Sequence, residues 1–284
     1  MAADYVSISQ QYDFLLRIPD IDSQRSIACI LCTLDDKIEL NRRMNRTLEK
    51  MAQAIFKSWF VDFDGQTEFE DSRTELGEIP FAWNVGPLSR LATLRTDSVQ
   101  PSSAPEQLWE HYSIPAFDER EHPSKELGGA IRSGKYRVPP MSILASKLNP
   151  RFPRIWMPVV EDPEHAVCST EFMPFVPRQA GWRFFVYELL RSAHVQNVIQ
   201  SRATGTTSSR QRVRPSVIAE MDVLIPPPER IEAFAALAGP LYEKRWLNLA
   251  QSRTLAELRD TLLPKLISGE IRVPEAESSV ESAL

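Results

Sequence analysis

An internal repeat constrains the fold of this chain more than any other feature of its sequence. Residues 18–59 align with residues 225–266 without a gap, at a constant offset of 207. Both copies open on Ile-Pro and share an Arg-Thr-Leu triplet, at residues 46–48 and 253–255. The chain therefore contains two related segments, separated by a long stretch of different sequence.

Both copies of the repeat carry apolar residues at alternating spacings of four and three, which predicts two long helices with a heptad seam. A helix of some 37 residues spans about 55 Å and cannot bury such a stripe alone. We therefore expect the two helices to pack on each other, and the spacing alone allows a parallel or an antiparallel pair. The predicted seam residues are Leu34, Ile38, Asn41, Leu48, Ile55, Leu241, Asn248, Leu255 and Leu262.

Both predicted seams become polar near their centres, at Asn41 and Asn45 in the first copy and at Asn248 and Ser252 in the second. Polar residues in a helix seam fix its register when they bond to one another. The pattern predicts that the two centres meet. The alternative is that these side chains face solvent where the helices cross.

The segment from about 75 to 224 has a different character, because the helical period disappears and prolines become frequent. Short β-branched or aromatic runs such as residues 184–187 stand between turn signals, which is typical of strands in a mixed domain. Two stretches, residues 127–160 and 189–219, contain basic residues and no acidic residue.

Stretches that combine Arg and Lys with Ser, Thr and Asn supply the donors that contact phosphates and base edges, so they predict a DNA-binding surface. Solvated loops are the alternative interpretation. The candidate DNA-binding residues are Arg132, Lys135, Arg137, Lys147, Arg151, Arg154, Arg210 and Arg212.

Composition excludes several classes of protein. The net charge of -5 argues against a protein that coats nucleic acid or anionic membrane through bulk charge. No apolar stretch is long enough to span a membrane, and the N-terminus lacks a signal sequence, so we expect a cytoplasmic protein without a membrane partner. Three cysteines are too few for a disulfide framework.

Two patterns point to catalysis or metal binding, and neither is complete. Residues 129–136 match a phosphate-binding loop, except that Tyr136 stands where Ser or Thr must bind magnesium. Cys29 and Cys32 have the spacing of half a zinc site, but no second pair follows, and we expect them on or beside the apolar face of the helix. We therefore predict no catalytic residue and no metal site.

The strongest alternative to a binding protein is a metal-dependent nuclease that uses Asp20, Asp35 and Lys37. Spaced carboxylates with a lysine hold magnesium in such enzymes and polarise the attacking water. Asp35 and Lys37, however, fall inside the predicted helix, where charged residues occupy outward positions. The solvated interpretation is therefore favoured.

Two short segments carry a resemblance to a known family. Residues 54–63 (AIFKSWFVDF) closely resemble the central conserved region of type I restriction-modification specificity subunits, and residues 262–271 (LLPKLISGEI) resemble their distal conserved region. Residues 76–83 resemble the usual opening of a target recognition domain in that family, and residues 225–227 its usual close. The resemblance covers nearly the whole chain.

This resemblance implies an α+β fold in which one mixed α/β target recognition domain is flanked by two long helices that pack as an antiparallel coiled coil. The implied domains are a remnant of a preceding recognition domain at 1–17, a central conserved helical region at 18–64, the recognition domain at 75–224, a distal conserved helical region at 225–272 and a flexible tail at 273–284.

The resemblance also implies that the chain is not itself an enzyme. In this family the specificity subunit directs partner methyltransferase and endonuclease subunits to a split DNA site. S-adenosylmethionine, ATP and magnesium belong to the modification and restriction subunits, so we expect no cofactor in this chain. Its expected partners are double-stranded DNA and those subunits.

The chain departs from the family pattern because a full member carries another recognition domain before residue 18. We therefore expect half of a bipartite reader, and three alternatives remain open. The chain forms a homodimer, or it pairs with a separate other half, or it is an inactive fragment or decoy that occupies modification subunits without reading DNA.

Overall fold

The computed structural model describes residues 18–74, 76–205 and 211–284, without the side chain of Arg120. The proposed remnant at 1–17 and the candidate Arg210 lie outside the described residues. The chain divides into two compact units. We call the part up to Glu49 with Tyr242–Leu284 the helical unit, and Lys50–Leu241 the mixed unit.

The helices and strands of the described residues follow the chain in this order. The helices are α1 (Ile21–Phe60), α2 (Ile114–Arg120), α3 (Arg183–Arg191), α4 (Ala193–Ser201), α5 (Pro215–Ala219), α6 (Pro228–Ser268) and α7 (Val273–Glu281). The strands are β1 (Phe69–Asp71), β2 (Glu78–Pro80), β3 (Asn84–Pro87), β4 (Ala92–Leu94), β5 (Ser98–Val99), β6 (Leu108–Tyr112), β7 (Ser124–Leu127), β8 (Lys135–Arg137), β9 (Ile143–Ser146), β10 (Ile155–Trp156), β11 (Ala166–Cys168), β12 (Phe172–Pro177) and β13 (Asp222–Ile225).

The helical unit contains the first part of α1 and the last part of α6, packed antiparallel. Asp35 of α1 pairs with Arg259 of α6 at 2.6 Å, while Asn45, further along α1, bonds to the earlier Asn248 of α6. The helices pack through an apolar core, as the heptad spacing predicted. Its buried residues on α1 and α6 are Ile27, Ile30, Leu34, Ile38, Leu255, Leu262 and Leu266.

The C-terminal segment is a helix packed on this core, so the interpretation of residues 273–284 as a flexible tail is wrong. Pro274 lies in the first turn of α7, where a missing N–H costs nothing. Ala276 and Val280, four residues apart, are buried in the same apolar cluster as Ile27. Val273 and Ala283 pack against the same cluster, so several apolar side chains dock this short segment.

The cysteines of α1 also depart from expectation. Cys29 and Cys32 are exposed rather than on or beside the apolar face, because Ile27, Ile30 and Leu34 occupy the positions that face α6. Their spacing places both on the outer side of the helix. Cys168 is buried.

The polar centres of the two helices meet, as the sequence predicted. Asn248 donates to Asn45 through an amide hydrogen bond of 2.9 Å between buried side chains. The Asn41 amide donates to Gln251 at 3.0 Å and to Ser252 at 3.3 Å. The register of the helix pair is therefore fixed by paired amides, and the interpretation that these groups face solvent is wrong.

Replacing Asn248 by Leu is expected to lower the free energy of unfolding by about 1–3 kcal/mol, because the Asn45 amide oxygen loses its donor while it stays buried. The double variant N45L/N248L is expected to recover most of that loss, since two apolar groups then face each other. Urea denaturation of the two variants and the unchanged chain tests this. Equal destabilisation by both variants would contradict the pairing.

The mixed unit is built around two sheets. One is antiparallel, in the order β10, β9, β12, β4, and the other is mixed, in the order β5, β8, β11, β6, β7, with β11 parallel to β6. Two further strand pairs, β1 with β2 and β13 with β3, are antiparallel. The two sheets share one core, in which Tyr112 of β6 contacts Trp156 of β10 with ring centroids 4.9 Å apart.

The aromatic run at residues 184–187 forms part of α3, so its interpretation as a strand signal is wrong. Its apolar residues continue as Leu189 and Leu190, and the buried positions of α3 cover most of the helix. A short apolar run does not distinguish a buried helix from a strand, and length decides between them. Here the nine residues of α3 pack against β9, β10 and β12.

The seam of α1 changes its spacing where the helix enters the mixed unit. Ala52, Phe56 and Phe60 are buried at steps of four, whereas the predicted Ile55 is half-buried. A straight α-helix has 3.6 residues per turn, so a strict 3.5-residue seam drifts around it. The aromatic pair Phe56 and Phe60 packs with Phe185 and Phe234, whose ring centroids lie 4.8–5.8 Å away.

The other predicted seam residues are either buried or half-buried. The buried seam residues of the helical unit are Leu34, Ile38, Asn41, Asn248, Leu255 and Leu262. Leu48 and Leu241 are half-buried. The residue next to Leu241, Tyr242, is fully buried in its place, because α6 has moved on by one position from the strict heptad.

Candidate nucleic-acid interface

The two acid-free basic stretches meet in the mixed unit. Asn149 donates its backbone N–H to the Gln211 carbonyl at 2.8 Å, and Val213 donates to the Lys147 carbonyl at 3.1 Å. Leu148 and Arg212 form an isolated antiparallel bridge between these bonds. We call residues 147–152, 171 and 211–214 the junction surface.

A tight turn exposes two side chains on the junction surface. Asn149 has a left-handed backbone with φ of 50°, and its carbonyl accepts the Phe152 N–H at 3.0 Å. Arg151 is exposed at the tip of this turn, and 58% of Phe152 is exposed beside it. Phe152 was not among the sequence candidates. An aromatic residue between an arginine and a proline in a basic loop was the signal that could have found it.

Arg212 is held on the junction surface by an acidic residue from another segment. Its Nε lies 3.1 and 3.2 Å from the two carboxylate oxygens of Glu171, and its Nη2 lies 2.9 Å from Oε1. The carboxylate raises the pKa of the Arg212 guanidinium above its ordinary value. The Glu171 carbonyl also accepts the Lys147 N–H at 2.9 Å.

Arg154 is paired in the same way, with Asp118 of α2. Its Nε and Nη2 donate to the two carboxylate oxygens at 2.6 and 2.9 Å, and its side chain is mostly covered. Asp118 and Glu171 both lie outside the two acid-free stretches. The absence of acidic residues in a stretch therefore did not mean that its cations lack ionic partners.

Three further candidates lie around β8 in the five-stranded sheet. Arg132 is exposed, with its carbonyl bonded to Gln100 at 3.1 Å, and Arg137 is exposed and donates to the Glu164 carbonyl at 2.8 Å. Lys135 is only 7% exposed, and its Nζ donates to the Ser133 hydroxyl at 2.6 Å.

The structure does not favour Lys135 as a DNA contact, because the side chain is packed against the sheet. Burial lowers the pKa of the Lys135 ammonium from its ordinary value. In the alternating pattern of β8, Lys135 and Arg137 share a face, yet Lys135 is buried and Arg137 is exposed. Linear sequence could not distinguish these two cations.

The nuclease alternative is not supported by the geometry. Asp20 precedes α1 and accepts the Ser23 hydroxyl at 2.7 Å and the N–H groups of Ser23 and Asp22 at 2.9 and 3.1 Å, and these bonds lower its pKa. Asp35 lies four turns further along the same helix, about 22 Å away at 1.5 Å per residue. It pairs with Arg259, and Lys37 is half-buried. These residues cannot share one metal ion.

Within residues 18–74, 76–205 and 211–284, no group of three or more His, Cys, Asp or Glu side chains is arranged to hold a metal ion. Among the helices of the same part of the chain, none has the length and apolar content of a membrane span.

These features define a class of protein: a pair of long antiparallel helices interrupted by a mixed α/β unit that exposes a basic loop junction. No family model matches the sequence. The chain is 29% identical over 269 residues to the type I restriction enzyme MjaIX specificity subunit of Methanocaldococcus jannaschii, covering 90% of this chain and 60% of that protein. It is 26% identical over 322 aligned positions to the type I restriction enzyme HindI specificity subunit of Haemophilus influenzae, covering 90% of this chain and 69% of that protein.

A solved structure has the same fold. The type I restriction-modification S subunit from M. genitalium matches with a TM-score of 0.51 at 16% identity, over 87% of this chain and 61% of that one. The α+β fold with long flanking helices is thereby confirmed. The sequence resemblance is confirmed as well, since the curated homologues of the chain are specificity subunits of type I restriction enzymes. The chain spans about two thirds of their length.

Proposed function

We propose that this chain is a DNA sequence-recognition component of a type I restriction-modification complex, with no catalytic activity of its own. The observation that carries the proposal is the junction surface, where two basic segments more than 60 residues apart join through backbone hydrogen bonds. Loops held on a rigid scaffold are where binding residues concentrate. The homology to specificity subunits supports the same function.

The contacts expected on double-stranded DNA differ among the candidates. Lys147 and Arg151 would neutralise phosphates from the junction surface, and Arg212 would reach a base edge. Arg132 and Arg137 are exposed beside β8 and form a second group of cations. Arg210 remains a sequence-based candidate. Arg154 acts through its ion pair with Asp118, which holds the loop after β9.

The chemistry of methylation and cleavage is proposed to reside in partners. Modification subunits would supply S-adenosylmethionine, and restriction subunits would supply ATP and magnesium chemistry. The chain would direct these subunits to one half of a bipartite site. A second copy of the chain, or a separate second half, would read the other.

Selection from a library of randomised duplexes tests this function. The purified chain is mixed with its modification subunit and the library, and the bound duplexes are sequenced. We expect one enriched sequence, because contacts to base edges select the sequence. We also expect the affinity to fall steeply with salt concentration, because contacts to phosphates supply much of the binding free energy. A chain that binds the modification subunit yet enriches no sequence would instead act as a decoy, and this would refute sequence recognition.

A further inference from the structure

We propose that Glu171 is a specificity-determining positioning residue: it holds the Arg212 guanidinium in one orientation for reading a guanine. This proposal rests on the proposed function of the junction surface. Arginine reads guanine by donating two parallel hydrogen bonds to O6 and N7, and this requires a fixed guanidinium plane.

The geometry of the pair satisfies that requirement. A guanidinium carries five N–H donors in a planar fork, and the Glu171 carboxylate engages the edge formed by Nε and Nη2. The remaining donors lie on the other edges of the same plane. A carboxylate that binds one edge of the fork therefore fixes the plane of the whole guanidinium group.

The backbone on both sides of the pair is also fixed. Arg212 exchanges two hydrogen bonds of 2.9 Å with Thr204 and forms a bridge with Leu148. Glu171 lies in the tight turn between β11 and β12, where its N–H bonds the Ser169 hydroxyl at 3.3 Å. The two side chains are therefore preorganised, and the orientation of the Arg212 guanidinium is set before DNA binds.

Stability alone does not explain this ion pair. The Arg212 side chain is 46% exposed and that of Glu171 is 24% exposed, and pairs at this level of exposure contribute little to folding. A carboxylate on a phosphate-facing surface also opposes DNA binding through like-charge repulsion. An acid in this position weakens general affinity, and its benefit lies in the orientation that it gives Arg212.

Three variants distinguish two roles of Glu171: orienting the Arg212 guanidinium, and repelling DNA phosphates through its negative charge. E171Q removes the charge that grips the fork while it keeps the side-chain size. R212K keeps the positive charge but removes the planar fork. The double variant E171Q/R212K shows whether the two residues act as one unit. Each variant is assayed with its modification subunit, by duplex selection and by the slope of affinity against salt.

We expect E171Q and R212K each to lower the preference at the same single base pair by about tenfold or more, as loss of a bidentate contact does. The double variant should lose no more than either single one. The salt slope of R212K should stay unchanged, since its charge is kept. A variant that unfolds is recognised by its thermal melting, and R212K then carries the test, because a lysine still pairs with Glu171.

The control is E161Q, which weakens the exposed ion pair between Glu161 and Lys125 in the same unit and should leave the base preference unchanged. E171Q overturns the proposal if it alters affinity equally for all sequences, or if it affects a different base pair from R212K. Failure of the proposed function itself looks different, because the unchanged chain would then enrich no sequence at all.

Discussion

Replacing Phe60 by Ala is expected to lower the free energy of unfolding by about 3–5 kcal/mol, because the side chain fills the centre of a buried aromatic cluster. Only 6% of Phe60 is exposed. Its ring centroid lies 4.8 Å from that of Phe185, 5.5 Å from Phe234 and 6.0 Å from Trp83. These partners come from separate segments of the mixed unit, so the cavity cannot be filled by a local shift. Thermal or urea denaturation measures the effect.

The matched control for that prediction is Phe81, which has the same side chain and lies in the same unit but is 60% exposed. F81A should change the free energy of unfolding by no more than about 0.5 kcal/mol, as surface substitutions usually do. Similar losses in F60A and F81A would contradict the role of the cluster. An unaffected F60A would mean that the rings do not pack as described.

The double variant K147A/R151A is expected to bind duplex DNA about a hundredfold more weakly than the unchanged chain. Each lost charge-assisted contact costs about 1.5–3 kcal/mol, which is about tenfold or more in affinity. Two lost phosphate contacts should also flatten the slope of log affinity against log salt by nearly two units. Fluorescence anisotropy of a labelled duplex at several salt concentrations measures both quantities.

A charge-matched control separates local contacts from net charge. R42A/K50A removes two exposed cations of α1, outside the junction surface, and should leave the affinity and the salt slope nearly unchanged. The sequence preference of K147A/R151A should also persist, since phosphate contacts carry no base information. Equal weakening by both double variants would show that net charge, and not the junction surface, governs binding.

The sequence predicted which stretches would supply basic residues to the candidate site, but not which side chains would be exposed there. The structure joins the two acid-free stretches by backbone hydrogen bonds and leaves Arg151, Arg132 and Arg137 exposed. Lys135 is buried, which its neighbours in sequence did not reveal. Phe152 was not predicted, because charge alone defined the candidates.

The two helices and the polar centres of their seams were determined by the sequence itself, because the contacts that make an amphipathic helix lie within four residues along the chain. The repeat predicted that the polar centres would meet, but the pairing of Asn45 with Asn248 depends on the antiparallel packing that the structure shows. Only the tertiary structure decided which basic side chains are paired with carboxylates. Arg154 and Arg212 take their carboxylates from residues 36 and 41 positions away. The parallel pairing of β6 with β11 and the docking of α7 are equally non-local, and no short pattern in a sequence records which distant segment will supply a partner.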